Sequence, residues 1–265
     1  MRARRGLVAD VVPFSWVDGP GNRFALFLQG CGFDCLACHN PQTIPRASMH
    51  AQDLSVEEVL ERLRGCVPYV TGITVSGGEA TGQWEFVRDL FAAIRADGDL
   101  RHLSTLVDTN GDAPPEVWHA LAEVMDGAMV DLKALDPQVH RHLTGRDNAV
   151  VLDSIRTLVA LDRLAEVRLL LVPGENDDEE TLVRTADWLV GIDSNISVRL
   201  NLFATHGVRS PARDWQPASA TDLTATSPEA AEQLLQEVRR YRLARALGNP
   251  IPGINAFSAP VFNDV

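Results

Sequence analysis

The chain is short of cysteine and of positive charge. It has only 4 cysteines among 265 residues, too few for a disulfide framework. Its 24 lysines and arginines stand against 36 aspartates and glutamates, and the net charge of −12 disfavours binding to a nucleic-acid backbone. It also lacks any apolar run near the ~18 residues of a membrane span. We therefore expect a cytoplasmic protein that binds neither nucleic acid nor membrane.

Apolar runs and helical patterns alternate regularly along the chain. A first strand is predicted over 8–12, stopped by Pro13. Six further strands are predicted over 24–28, 72–75, 103–107, 128–130, 167–172 and 197–203. The run over 24–28 is continuously apolar, which is typical of a parallel strand buried on both faces.

Helices are predicted between these strands. Ser55 is a candidate N-cap with Glu58 three residues later, and the helix after it has an apolar face. The remaining helices are predicted over 84–96, 115–125, 137–143, 150–161, 178–190 and 228–247. The segment 204–227 has no periodicity, and we expect a loop that lies across the carboxyl ends of the strands.

This alternation predicts an α/β fold with parallel strands and right-handed crossovers. Polar and glycine-rich segments follow strand after strand, which favours a partial (β/α)6 TIM-like barrel over an open sheet. In barrels the chemistry collects at the carboxyl ends of the strands. We expect one domain over 1–247, followed by a tail over 248–265.

Three of the four cysteines are clustered as Cys31, Cys35 and Cys38, with the spacing C-x-x-x-C-x-x-C. Three thiolates can hold three irons of a cubane cluster and leave the fourth iron open, whereas a cluster used only for electron transfer normally has four protein ligands. The alternatives are structural thiols, an electron-transfer iron–sulfur protein, or a zinc site with His39 as fourth ligand. Zinc sites usually pair two short knuckles, which favours the open cluster.

The cysteine spacing after one strand, with Ser76-Gly77-Gly78-Glu79 after the next, resembles the radical S-adenosylmethionine (SAM) superfamily. Segments 17–21, 27–31, 38–41, 107–111 and 129–133 resemble its glycyl-radical enzyme activases, of which pyruvate formate-lyase activase is the best-known type. Segments 13–15 and 72–80 most resemble the YjjW-type activases. The resemblance extends from about residue 11 to residue 207.

The resemblance implies a defined chemistry. One [4Fe–4S] cluster with three cysteine ligands would pass an electron to SAM, which is cleaved to methionine and a 5′-deoxyadenosyl radical. That radical would remove a hydrogen atom from a glycine of a partner glycyl-radical enzyme. The electron would come from a flavodoxin- or ferredoxin-type donor. The alternative within the superfamily is an enzyme that acts on a small molecule or a peptide.

The resemblance also implies residue roles. Cys31, Cys35 and Cys38 would be the catalytic cluster ligands. The SAM contacts would be Ala37, His39, Gly77, Gly78, Glu79, Asp131, Lys133, Arg168 and His206. A monovalent cation would lie near Asp108, Thr109, Met129 and Asp131, and the partner's glycine loop would lie near Asp18 and Gly19.

Several of these residue types suit their implied roles. Glycines at 77 and 78 allow a ligand to approach the backbone closely, and Glu79 would accept a hydrogen bond from the SAM ammonium. Asp131 and Lys133 alternate at a strand end, where they would face the barrel mouth or form a surface ion pair. Arg168 lies in an apolar run and must be paired; the SAM carboxylate is a candidate partner.

Two features depart from the family pattern. Most members have an aromatic residue before the third cysteine, which packs on adenine, whereas this chain has Ala37. Many relatives also insert a ferredoxin-like module after Asn40, whereas the connection over 41–54 holds no cysteine. Cys66 is expected to be a buried apolar residue. We therefore predict a single cluster without a built-in electron relay.

Overall fold

A computed structural model describes residues 4–205, 208 and 227. Its strands are β1 (Arg5–Ser15), β2 (Arg23–Leu28), β3 (Gln52–Ser55), β4 (Gly72–Gly77), β5 (Ser104–Thr109), β6 (Gly127–Leu132), β7 (Leu164–Leu171) and β8 (Val198–Leu202). Its α-helices are α1 (Val56–Arg64), α2 (Trp84–Ala96), α3 (Pro115–Ala122), α4 (Pro137–Thr144), α5 (Ala149–Ala160) and α6 (Glu179–Ile192). The helix predicted over 228–247, most of the loop predicted over 204–227 and the tail over 248–265 lie outside the described residues.

The described strands form a mostly parallel sheet in the order β3-β1-β2-β4-β5-β6-β7-β8. The pairs β2–β4, β4–β5, β5–β6 and β7–β8 are parallel, whereas β1 is antiparallel to both β2 and β3. Over the described strands the sheet does not close on itself, and β3 and β8 are its edge strands, as in a partial barrel. All six strands predicted after the first are present, and the predicted α/β fold of a partial barrel is confirmed.

The chain divides into two compact units. Of the described residues, the first comprises 4–33, 40–130 and 150–164, and the second comprises 34–39, 131–149 and those from 165 onward. In the first unit the core lies between the sheet and α1, α2, α3 and α5. In the second, a cluster of buried side chains joins the loop 34–39 to α4 and to the ends of β7 and β8: Leu36, Ala37, Leu143, Val172 and Phe203.

Two helix starts follow from local chemistry. Ser55 caps α1 as predicted: its hydroxyl accepts from the Glu58 N–H, and the Glu58 carboxylate accepts from the Ser55 N–H at 2.7 Å. Asp136 caps α4 by accepting from the N–H groups of Gln138 and Val139, at 2.8 and 3.1 Å. These caps fix where each helix leaves the sheet.

The first strand differs from its prediction. The prediction that this strand stops at Pro13 is wrong, because β1 continues to Ser15. The register between β1 and β2 shifts between Val12 and Ser15, and a proline without an N–H is tolerated at such an irregularity. Strand β3 was not predicted, because its sequence Gln-Asp-Leu-Ser has no strand pattern; it is held by backbone pairing with β1.

Candidate functional site

Cys31 follows the carboxyl end of β2 in the first unit. Its N–H donates to the Ile44 carbonyl at 3.0 Å, which fixes the backbone there. Its Sγ accepts from the Phe33 N–H at 3.3 Å and from Asn110 Nδ2 at 3.6 Å. Two donors directed at one sulfur stabilise a thiolate, which is the form that binds iron.

Cys35 and Cys38 lie in the second unit, in the loop 34–39. All four cysteines are within the described residues, and none of them forms a disulfide. The loop is anchored to the end of α4, because Leu36 N–H donates to the Leu143 carbonyl at 2.9 Å. Both thiols are half-buried and therefore reachable by a metal cluster.

Ala37 is buried, at 7% exposure, in the apolar cluster that includes Leu143 and Phe203. Phe203 supplies an aromatic side chain to this cluster, and its packing beside Ala37 was not predicted from the sequence. His39 is exposed, with its ring 6.0 Å from that of Phe203 and its Nε2 2.8 Å from the Ala204 carbonyl oxygen. The predicted SAM contacts of Ala37 and His39 stay predictions.

The glycines after β4 have a reason in the fold itself. Gly77 has φ +122, and a Cβ there would lie 2.1 Å from the backbone nitrogen of Leu28. A Cβ on Gly78 would lie 2.3 Å from the carbonyl oxygen of Gly30. No side chain fits at either position, so both glycines are required by the close approach of the strand end to the segment that leads into Cys31.

Glu79 connects two loops in the first unit and is 6% exposed. Its Oε1 accepts from the Thr81 N–H at 2.8 Å, from the Thr81 hydroxyl at 2.6 Å and from the Thr109 hydroxyl at 2.7 Å. Its Oε2 accepts from the Asn110 N–H at 2.8 Å. Burial raises the pKa of Glu79, against the lowering effect of these hydrogen bonds.

This network gives Glu79 a structural role that was not predicted. Its carboxylate already has four donors, whether or not a SAM ammonium adds another. The predicted contact to SAM stays a prediction. The network is not visible in the sequence, because the donors from Thr109 and Asn110 lie 30 and 31 positions away in the chain.

The residues predicted to hold a cation are arranged on β5 and β6. Asp108 and Met129 are register partners, and Asp108 Oδ2 accepts from the Ser76 hydroxyl at 2.8 Å. Thr109 leaves β5 on the opposite face, since successive side chains alternate, and its hydroxyl contacts Glu79. The cation site, to which Asp131 was also assigned, stays a prediction.

Asp131 and Lys133 form an ion pair in the second unit, with 2.6 Å between Lys133 Nζ and Asp131 Oδ2. The Lys133 side chain is 15% exposed. Burial alone would lower the pKa of Lys133, but the charges of Asp131 and then of Cys35 together raise it above its ordinary value. Lys133 therefore lies close enough to Cys35 and Cys38 for an electrostatic interaction between its ammonium and their sulfur atoms.

Arg168 is buried in β7 and is paired, as expected for a charge in an apolar run. Its Nε donates to Glu166 Oε1 at 2.8 Å. Arg199 of β8 is its register partner, so both side chains leave the sheet on the same face. A contact between Arg168 and the SAM carboxylate stays a prediction.

The loop with Asp18 and Gly19 is held against the first unit's sheet. The Thr74 hydroxyl donates to the Asp18 carbonyl at 2.7 Å, and the Asp18 carboxylate accepts from the Ser15 hydroxyl. A Cβ on Gly19 would lie 3.5 Å from Met129 Cε. This places the loop predicted to meet a partner's glycine next to Met129, one of the predicted cation residues.

His206 lies outside the described residues. Within residues 4–205, no three His, Cys, Asp or Glu side chains are grouped so as to hold a metal ion. None of the helices in that same region is long and apolar enough to cross a membrane.

Comparisons with known proteins identify the family. Residues 26–186 match the family model described as the radical SAM superfamily. A pyruvate formate-lyase-activating enzyme of Streptococcus mutans is 34% identical over 189 residues, which are 69% of this chain and 72% of that protein. One from Staphylococcus epidermidis is 33% identical over 196 residues, which are 72% of this chain and 78% of the relative.

Solved structures show the same fold at lower identity. Streptococcus suis SuiB bound to precursor peptide SuiA is 14% identical, with a TM-score of 0.60 over 82% of this chain and 45% of that one. A radical SAM methyltransferase from Sphaerobacter thermophilus is 17% identical, with a TM-score of 0.59 over 86% of this chain and 65% of that one. These two likenesses bear on the fold alone.

Proposed function

The chain belongs to the radical SAM superfamily, and on that basis we propose that it activates a glycyl-radical enzyme by removing a hydrogen atom from a backbone glycine. The observation that carries this proposal is the 33–34% identity to pyruvate formate-lyase-activating enzymes over about 70% of the chain. Membership of the superfamily implies a [4Fe–4S] cluster and SAM. The pairing with a glycyl-radical enzyme is the proposed step.

Cys31, Cys35 and Cys38 would hold the cluster. Among the described residues the three sulfurs are not grouped as a metal site, so the fit rests on donor chemistry: Cys31 Sγ accepts two N–H groups, and Lys133 places a positive charge close to Cys35 and Cys38. Both arrangements favour anionic sulfur. When bound, the cluster supplies the electron that cleaves SAM to methionine and a 5′-deoxyadenosyl radical.

The remaining residues bind and orient SAM. The turn at Gly77 and Gly78 exposes backbone without side chains, which suits the SAM amino group. Lys133, which lies in the second unit and is ion-paired with Asp131, would bind a carboxylate or hydroxyl group of SAM. Arg168, whose Nε donates to Glu166, would bind the SAM carboxylate.

Asp18 and Gly19 would meet the partner's glycine loop. Their backbone is fixed by Thr74, and Gly19 lies next to Met129, so a peptide at this loop would be near the residues proposed for the cation. The partner's loop must leave its own core to reach this site, a rearrangement that occurs on binding.

The electron donor would be of flavodoxin or ferredoxin type, since the connection over 41–54 holds no cysteine for a second cluster. The cytoplasm suits four cysteines that form no disulfide.

The second candidate is a radical SAM enzyme that acts on a small molecule or a peptide. The superfamily match over residues 26–186 is shared by this candidate and the activase, so it does not separate the two. A structural zinc protein is the candidate outside the superfamily's chemistry. To test the zinc protein, the chain is purified anaerobically and reconstituted with iron and sulfide. Cubane absorption together with SAM cleavage would exclude the zinc protein.

The test of the activase proposal uses a candidate glycyl-radical enzyme from the same genome as this chain. The reduced protein is mixed with SAM and that enzyme, and the sample is frozen for electron paramagnetic resonance. We expect the doublet of a glycyl radical, and its absence when the partner's glycine is changed to alanine. SAM cleavage without the doublet would contradict the activase and favour the second candidate.

A further inference from the structure

The Asn110 side chain points its amide nitrogen at Cys31. Nδ2 lies 3.6 Å from Cys31 Sγ, within range for a hydrogen bond to sulfur. Asn110 is 9% exposed, so water competes little for this contact.

The orientation of the amide is fixed by a second contact. Asn110 Oδ1 accepts from the Asp112 N–H at 2.8 Å, a bond that only the oxygen end of the amide can make. The nitrogen end therefore faces Cys31. The backbone N–H of Asp112 thus fixes the direction in which Asn110 Nδ2 points.

The loop that carries Asn110 is held on both sides. Its own N–H donates to Glu79 Oε2 at 2.8 Å. The Ser154 hydroxyl donates to the Gly111 carbonyl at 2.7 Å, and the buried Trp118 indole donates to the Ser154 oxygen at 2.7 Å. These buried bonds keep the position of Nδ2 relative to Cys31 constant.

We propose that Asn110 is a positioning residue that sets the reduction potential of the cluster through Cys31. A hydrogen bond to a cysteine sulfur stabilises the reduced cluster more than the oxidised one, because reduction adds negative charge that spreads onto the sulfur. The Phe33 N–H is a second donor to the same sulfur, and Asn110 is the one that a substitution can remove. This inference rests on the cluster of the proposed function and does not depend on the partner enzyme.

The test is the midpoint potential of the reconstituted full-length protein, measured by a redox titration followed with electron paramagnetic resonance. Asn110→Leu removes the donor at similar volume and adds no charge. We expect its potential to become more negative, with a roughly fivefold change in the equilibrium constant for one-electron reduction, which is about 40 mV. Asn110→Asp keeps the acceptor for Asp112 N–H and adds a negative charge, so its potential should be lower still.

The matched control is Asn22→Leu. Asn22 belongs to the same unit and donates to the Tyr69 carbonyl, but it precedes β2, whereas Cys31 follows the other end of that strand. The midpoint potential of the Asn22→Leu variant should equal that of the unchanged protein. Iron and sulfide content are measured in every sample, so that potentials are compared at equal cluster loading.

Two outcomes overturn the inference alone. One is an unchanged potential in both Asn110 variants at full iron content. The other is loss of the cluster from both variants, since Asn110 would then be needed for cluster assembly and not for its potential. A protein without any cluster before substitution would instead overturn the cofactor assignment of the proposed function, and this inference with it.

Discussion

The Glu79 carboxylate accepts a hydrogen bond from the Thr109 hydroxyl, with 2.7 Å between Oε1 and Oγ1. This bond joins the segment that follows β4 to the segment that follows β5. Because the Asn110 N–H also donates to the same carboxylate, one buried side chain orders the loop that faces Cys31. The glutamate of the Gly-Gly-Glu segment thus organises the site as well as being a candidate to contact SAM.

Glu79→Gln should destabilise the protein. A glutamine offers one acceptor oxygen, so its amide nitrogen would face a donor that the carboxylate now satisfies. A buried donor left unsatisfied costs about 1–3 kcal/mol. Urea unfolding of the cluster-free protein measures the loss, and Glu116→Gln, an exposed residue in the first turn of α3, should change the free energy of unfolding by less than about 0.5 kcal/mol.

The raised pKa of Glu79 also predicts a pH dependence. The folded state holds the Glu79 proton more tightly than the unfolded chain, so the contribution of Glu79 to stability is full below the ordinary glutamate pKa of about 4.3. It decreases as the pH rises from there through the raised pKa. The unfolding free energy of the unchanged protein, minus that of Glu79→Gln, should therefore fall across this window. A difference that rises with pH would contradict the direction of the shift.

Cys35 and Cys66 make a matched pair for the cluster assignment. Cys35→Ala should abolish cluster retention, measured as iron and sulfide per chain after anaerobic reconstitution. Cys66 is buried, and its thiol donates to the Arg62 carbonyl at 3.5 Å, so Cys66→Ala should keep the cluster at a small cost in stability. If SAM cleavage survived in Cys35→Ala, the ligand assignment would be wrong.

Lys133 is the only lysine of the sequence, which makes its pKa directly measurable. Reductive methylation with 13C-formaldehyde labels Lys133 and the α-amino group, whose ordinary pKa values of about 10.4 and 8 separate them in an NMR titration. The pKa of Lys133 should lie above its ordinary value and should fall in Asp131→Asn, which removes the nearest negative charge. Asp162→Asn, at an exposed turn of the first unit, should leave the Lys133 pKa unchanged. A Lys133 pKa that is equal in the two variants would exclude the ion pair as the cause.

The sequence predicted the elements with strong local signals. Helix 84–96 was predicted with the bounds that α2 has, and Ser55 was predicted as the cap of α1, because periodicity and capping are local. Strand β3 escaped prediction, because its pairing with β1 is made by backbone over about 48 residues of chain. A polar tetrapeptide carries no sign of such pairing.

The same distinction applies to the site. The cysteine spacing identified the cluster loop, since three thiols within eight residues are visible in the sequence. The burial of Ala37 beside Phe203 and the contact from Asn110 to Cys31 were not predictable, because they join residues 166 and 79 positions apart. Contacts of that range depend on tertiary packing, which residue spacing does not contain.

In the proposed reaction a partner's glycine gives its hydrogen atom to the radical made from SAM. The most direct measurement uses a glycyl-radical enzyme labelled with deuterium at glycine Cα, and mass spectrometry of the 5′-deoxyadenosine that is formed. We predict 5′-deoxyadenosine with one deuterium, formed together with the doublet radical, and no deuterium when the partner's glycine is changed to alanine. Unlabelled 5′-deoxyadenosine from the labelled partner would contradict the account, because the hydrogen atom would then come from another donor.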